Sequence, residues 1–101
     1  MARLTWTPQA LDDIEAICEF IAKDAPRYAQ IFVTQVFSST ERIKAFPMSG
    51  RIVPEVGQQN IREIILGNYR IIYRIQDQEI QVLTVYHSAR LLDMSTFTEE
   101  P

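Results

Sequence analysis

Residues 61–88 read IREIILGNYRIIYRIQDQEIQVLTVYHS, and this stretch decides the fold. Three runs rich in β-branched and aromatic side chains, Ile61 to Leu66, Tyr69 to Gln76 and Glu79 to Ser88, are parted by Gly67-Asn68 and Asp77-Gln78. Both separators are two-residue turns of the kind that accepts positive φ, so the runs are expected to form an antiparallel meander of neighbouring strands. Pairing about the turns sets Leu66 opposite Tyr69 and Gln76 opposite Glu79. Alternation along each strand then assigns Ile64, Tyr69, Ile71, Tyr73, Ile80, Val82, Thr84 and Tyr86 to one face, with Arg62 at its edge. Glu63, Arg70, Ile72, Arg74, Leu83, Val85 and His87 fall on the other. The first face is the more apolar and should receive whatever packs on the sheet.

Upstream of the strands lie two helical patterns. Thr7-Pro8 reads as an N-cap followed by proline at the first helical position. From Pro8 to about Lys23, Leu11, Ile14, Cys18 and Ile21 recur at three- and four-residue spacing, while Asp12, Asp13, Glu15 and Glu19 take the opposite side. Asp24-Ala25-Pro26 breaks this helix and supplies a cap for a second, marked by Ala29, Phe32, Val33, Val36 and Ile43 and running to about Ala45. So short a connection folds the helices back antiparallel. Arg3-Leu4-Thr5-Trp6 is a further short strand before them, and Phe46 to Asn60, punctuated by Pro47, Gly50, Pro54 and Gly57, is an aperiodic loop. The expected architecture is α+β, in the order β-α-α-β-β-β, with the helical hairpin on one face of an antiparallel sheet.

At 101 residues and 47% hydrophobic composition, the chain suits one compact domain spanning residues 1–101. No apolar run approaches the ~20 residues of a membrane span, and no charged-then-apolar leader opens the sequence, so a cytoplasmic protein without membrane contact is expected. The net charge of −3 conceals a segregation. Residues 1–26 carry two basic and five acidic side chains, residues 27–90 carry eight and five, and residues 91–101 carry three acids and no base, an acidic tail expected to be flexible. Eight of the ten basic residues are arginine, a preference that favours forked recognition of carboxylate or phosphate.

Several fragments, in order, carry a family resemblance: Thr7-Pro8-Gln9-Ala10, Phe46-Pro47-Met48-Ser49-Gly50-Arg51, Ile61-Arg62-Glu63, Gly67-Asn68-Tyr69-Arg70-Ile71-Ile72-Tyr73-Arg74, and Val85-Tyr86-His87-Ser88-Ala89-Arg90. Together they resemble the RelE/ParE superfamily of bacterial toxins, closest to the ParE branch. The resemblance implies a cognate antitoxin lying along the helical hairpin and sheet edge, and DNA gyrase as the poisoned target. In the RelE branch the activity is instead cleavage of messenger RNA on the ribosome. There the resemblance would give Arg62, Arg70 and Arg90 the phosphate and His87 the proton transfer. A non-toxic, degenerate member is the third expectation. The segment after Arg90 lacks the terminal catalytic tyrosine found in many ribonuclease members, which tilts the reading towards a protein that binds rather than cleaves.

Residue by residue, the candidates for target contact are Arg51, Arg62, Arg70, Arg74, His87 and Arg90. Arg70 is either an anchor for phosphate or carboxylate or the partner of Glu63 across the neighbouring strand. Arg74 reads as a solvated or salt-bridged edge, Arg62 as a strand-end residue, and Arg51 as a loop cation beside the sheet or a helix cap. His87 is either a proton carrier or a strand-end histidine held by a hydrogen bond. Tyr69, Tyr73, Tyr86, Trp6 and Cys18 are expected in the core. One histidine and one cysteine do not make a metal ligand set, and no cofactor is implied.

Overall fold

Gly67 and Asp77 take φ of 60° and 56°, the left-handed geometry that the two tight hairpin turns demand. The computed structural model describes residues 2–88. Its elements are β1 (Arg3–Trp6), α1 (Pro8–Asp24), α2 (Pro26–Ala45), a 3₁₀ turn (Pro47–Ser49), β2 (Arg51–Ile52), β3 (Ile61–Leu66), β4 (Tyr69–Gln76) and β5 (Glu79–His87). They build a five-stranded sheet in the order β1-β5-β4-β3-β2. The meander pairs as expected, with Leu66 opposite Tyr69 and Gln76 opposite Glu79. β1 runs parallel to β5, so the sheet is mixed; a parallel pair needs a long connection, and here it runs through the two helices and the strands between.

Thr7 caps α1, its hydroxyl oxygen accepting the Ala10 N–H at 3.0 Å while donating to the Leu83 carbonyl at 2.9 Å. One residue thereby ends β1, starts α1 and ties both to β5. The second cap falls within the expected Asp24-Ala25-Pro26 break. Asp24 is the last residue of α1, and Ala25 takes the cap position of α2 without a side-chain bond. Pro26, which has no N–H, leaves one fewer donor to satisfy at that helix start.

The hairpin covers one face of the sheet through Ala10, Phe32, Val36 and Ile43, packed on Ile64, Ile71, Tyr73, Ile80, Val82 and Val85. The other face has a small core of its own: Val53 and Val56, from the segment expected to be an aperiodic loop, close over Ile61, Ile72 and Leu83. That segment also contributes β2, whose Arg51 and Ile52 pair with Glu63 and Arg62.

A β-bulge corrects the expected division of faces. Tyr73 pairs with Val82 but Ile72 pairs with Thr84, so Leu83 is an extra residue on β5. Beyond it the alternation shifts by one. Val85, expected on the far face, joins the helix-side core, and His87 lies against Tyr69 with ring centroids 5.2 Å apart.

Candidate functional site

Two regions gather the chemically active side chains, on opposite faces of the sheet. On the face away from the helices, Glu63 is 1% exposed and Arg70 6% exposed. Charges so deeply withdrawn from water are tolerable only when paired and hydrogen-bonded. Arg70 Nε donates to Glu63 Oε1 at 2.5 Å, and Arg51 Nε donates to Glu63 Oε2 at 2.5 Å. The rest of the Arg70 fork is taken by Glu55, whose two oxygens accept from Nη1 and Nη2 at 2.9 and 2.8 Å. Hydrogen bonding from Arg70 holds the Glu55 carboxyl down at about 2, and the same contacts, led by Glu55, raise the guanidinium of Arg70 above its usual value. Two cations and two anions thus neutralise one another, and each of the three Arg70 guanidinium nitrogens donates to a carboxylate of its own chain.

Arg62 is also occupied. Its Nε donates to the Gln59 carbonyl and its Nη1 to the Gly50 carbonyl, each at 2.9 Å. Beside it the Tyr73 hydroxyl donates to the Pro47 carbonyl at 2.6 Å and accepts the Gly50 N–H at 3.0 Å. Burial raises the Tyr73 phenol, keeping it a neutral donor. Gly50 is required here by close approach, since a Cβ would lie 2.5 Å from the Tyr73 hydroxyl and 2.6 Å from the Glu63 carbonyl. The Phe46 to Arg51 fragment is therefore a clamped corner, fixed by Tyr73 and Arg62.

Arg74 stands further along β4, in register with Ile61 and Gln81 and on the same face as Arg70 by alternation. Arg90 and the acidic tail lie outside the described residues. The structure thus brings Arg51 and Arg70 together on the face away from the helices, sets Arg62 at the clamped corner beside Tyr73, and leaves His87 across the sheet from Arg51 and Arg70.

The second region is a groove of about 340 Å³ between α1 and the end of β5, with Asp13, Ile17, Phe20, Tyr69, Val85 and His87 among its lining. Asp13 orients this edge. Its Oδ2 accepts the Val85 N–H at 3.1 Å and the Thr84 hydroxyl, and its Oδ1 accepts from Gln9 at 2.7 Å. Sequence reading grouped Asp13 with the solvent-facing acids of α1. Its spacing, three residues after Ala10 and four before Ile17, already placed it beside the apolar stripe. The roles of Glu55 and Phe20 were missed as well. Glu55 had no periodic pattern to betray it, and Phe20, flanking the stripe, is 69% exposed at the rim.

A sequence profile described as "ParE toxin of type II toxin-antitoxin system, parDE" matches residues 4–92. The chain belongs to the ParE toxin family. Toxin RelE2 of Caulobacter vibrioides is 28% identical over 92 residues, covering 90% of this chain and all of that relative. Among solved structures, the chromosomal ParDE toxin–antitoxin system of P. aeruginosa superposes with a TM-score of 0.71 at 22% identity, over 86% of this chain and 96% of that one. The RelBE2 toxin–antitoxin complex of Mycobacterium tuberculosis superposes with a TM-score of 0.54 at 22% identity, over 85% and 96%. These superpositions establish the shared fold. As a ParE-family chain, the protein is a toxin component of a type II toxin–antitoxin system.

Proposed function

We propose that this toxin acts in the cytoplasm by binding and poisoning DNA gyrase, and that a cognate antitoxin silences it by lying along the helical hairpin and the adjoining sheet edge. The observation that carries the reading is the match to the ParE branch along nearly the whole chain. The disposition of the charged groups supports it. A phosphodiester-cleaving site needs cations and a proton carrier converging on one phosphate. Here Arg70 is filled by Glu55 and Glu63, Arg62 by backbone carbonyls, and His87 faces the helices. Such an arrangement favours a protein that binds its target. Among the candidate contacts, Arg51 is foremost, its side chain 61% exposed beside the clamped corner; Arg62 serves it by fixing that corner and Arg70 by holding the Glu63 carboxylate that Arg51 shares.

A second reading is ribosome-dependent mRNA cleavage in the RelE manner, favoured by the likeness to Toxin RelE2. Expression without antitoxin separates the two. Growth should arrest, with DNA synthesis failing before protein synthesis. Protein synthesis failing first, with messenger RNA cut at the ribosomal A site and the cutting abolished by His87→Ala, would establish the enzymatic reading. Unimpeded growth would mark a non-toxic member.

A further inference from the structure

At the end of α2 the chain turns through Phe46 to Gly50 between two arginines. Arg42 lies one helical turn before Phe46, whose N–H donates to the Arg42 carbonyl at 2.8 Å. Arg62 reaches the same turn from β3, its Nη1 donating to the Gly50 carbonyl at 2.9 Å. Burial raises the Tyr73 phenol that the turn encloses, and the charges of Arg62 and Arg42 both oppose that rise, so the two guanidinium groups bear on one spot. Between them Phe46 is 67% and Met48 59% exposed. Ile52, also exposed, pairs with Arg62 across β2 and β3 and so shares its face. Among the described residues no carboxylate pairs with Arg42 or Arg62: Glu41 turns to Lys44, Glu63 to Arg51 and Arg70, and Glu55 to Arg70.

We infer that this corner docks a segment of a protein partner that carries carboxylates beside a large apolar side chain, Arg42 and Arg62 taking the acids and Phe46, Met48 and Ile52 the apolar group. The inference rests on the target-binding reading above and gives the contact with that target its chemistry. An arginine that no carboxylate already holds can take one through two parallel hydrogen bonds, and a methionine adapts to the shape of what covers it. Aromatic, methionine and arginine side chains together are also the residues in which protein interfaces are enriched. Nucleic acid fits less well: its backbone would use the two cations and leave the apolar side chains uncovered, against a chain of net charge −3.

The test uses two labelled peptides of about twelve residues with leucine at alternate positions, one with glutamate and the other with glutamine between them. Anisotropy titrations with the full chain are run at low and high salt, a labelled single-stranded DNA of mixed sequence is the third probe, and amide shifts locate the site. The glutamate peptide should bind at least about tenfold more tightly than the glutamine peptide, weaken as salt rises, and shift the amides of Phe46, Met48, Ile52 and Arg62 most. Arg42→Glu, at an exposed position, should weaken the glutamate peptide about tenfold, and Met48→Ser should weaken both peptides. Arg27→Glu, the same charge change at the other end of α2, should alter neither. Equal affinities for the two peptides, no binding of either, shifts centred elsewhere, Arg42→Glu and Arg27→Glu acting alike, or tighter binding of the DNA than of the glutamate peptide would each overturn the inference. Gyrase inhibition is read separately. A chain that inhibits gyrase yet binds both peptides alike would refute the corner assignment and leave the toxin reading standing, whereas one that selects the glutamate peptide at this corner and leaves gyrase active would refute the gyrase reading alone.

Discussion

Asp13 and Val85 are joined across the bulge in β5, the carboxylate of the helix accepting the backbone N–H of the strand at 3.1 Å. A bulge takes residues out of the regular ladder, and a buried N–H without an acceptor is costly. Asp13→Ala removes the acceptor for Val85 and for the Thr84 hydroxyl together. It should destabilise the protein by about 1–3 kcal/mol, read as a lower urea midpoint. Asp13→Asn retains one acceptor oxygen and should cost clearly less. Equal midpoints for Asp13→Ala and the wild type would mean that the bulge is held by something else.

The buried charges predict a different pattern. Arg70→Ala leaves Glu63 with Arg51 alone in a nearly water-free site and should cost roughly 3–5 kcal/mol. Replacing both partners by apolar residues of similar volume, Arg70→Met with Glu63→Leu, should cost less than Arg70→Ala. If the double variant folds and still arrests growth, Arg70 is a support for the loop; if it folds with native stability and growth is unimpeded, Arg70 touches the target.

Acid should loosen the loop through Glu55. Its carboxyl is held at about 2, below the ordinary 4.5. A depressed carboxyl contributes stability that is present above the unfolded value and is lost as pH falls from about 4.5 through about 2. Glu55 is 44% exposed as a side chain, so solvent screening keeps the effect small. Glu55→Gln should show a shallower loss of stability between about pH 5 and pH 2 than the wild type, measured by urea midpoints across that window. Parallel curves would remove Glu55 from the acid response.

Gly50 is the corner's strictest position. Any Cβ there meets the Tyr73 hydroxyl and the Glu63 carbonyl, one of them backbone that cannot swing away. Gly50→Ala should lower the thermal midpoint and loosen the Phe46 to Arg51 turn. Adding Tyr73→Phe removes the clashing oxygen and should recover part of the loss. No recovery would show that the Glu63 carbonyl alone sets the limit.

Much of the fold was legible because period and turn chemistry agree: Gly67-Asn68 and Asp77-Gln78 fixed the meander, and the stripe from Ile14 to Ile21 fixed α1. The bulge at Leu83 was not. Thr84, Val85 and Tyr86 suit a strand on either side, so nothing in their composition signals an extra residue, and that slip moved His87 to the helix side. The loop was hidden for another reason. Val53 and Val56 are too few to show a period, yet they bury the far face, and Glu55 between them completes a salt bridge visible only in three dimensions. For Arg70, sequence pairing offered Glu63 as one of two readings, and the structure contains that contact at 2.5 Å.

Supercoiling of relaxed plasmid by purified DNA gyrase, titrated with the purified full chain, measures the central proposal most directly. Supercoiling should fall in proportion to added protein, with Arg51→Ala requiring several times more protein for the same effect. Supercoiling that persists undiminished at a large excess of the folded chain would contradict the account.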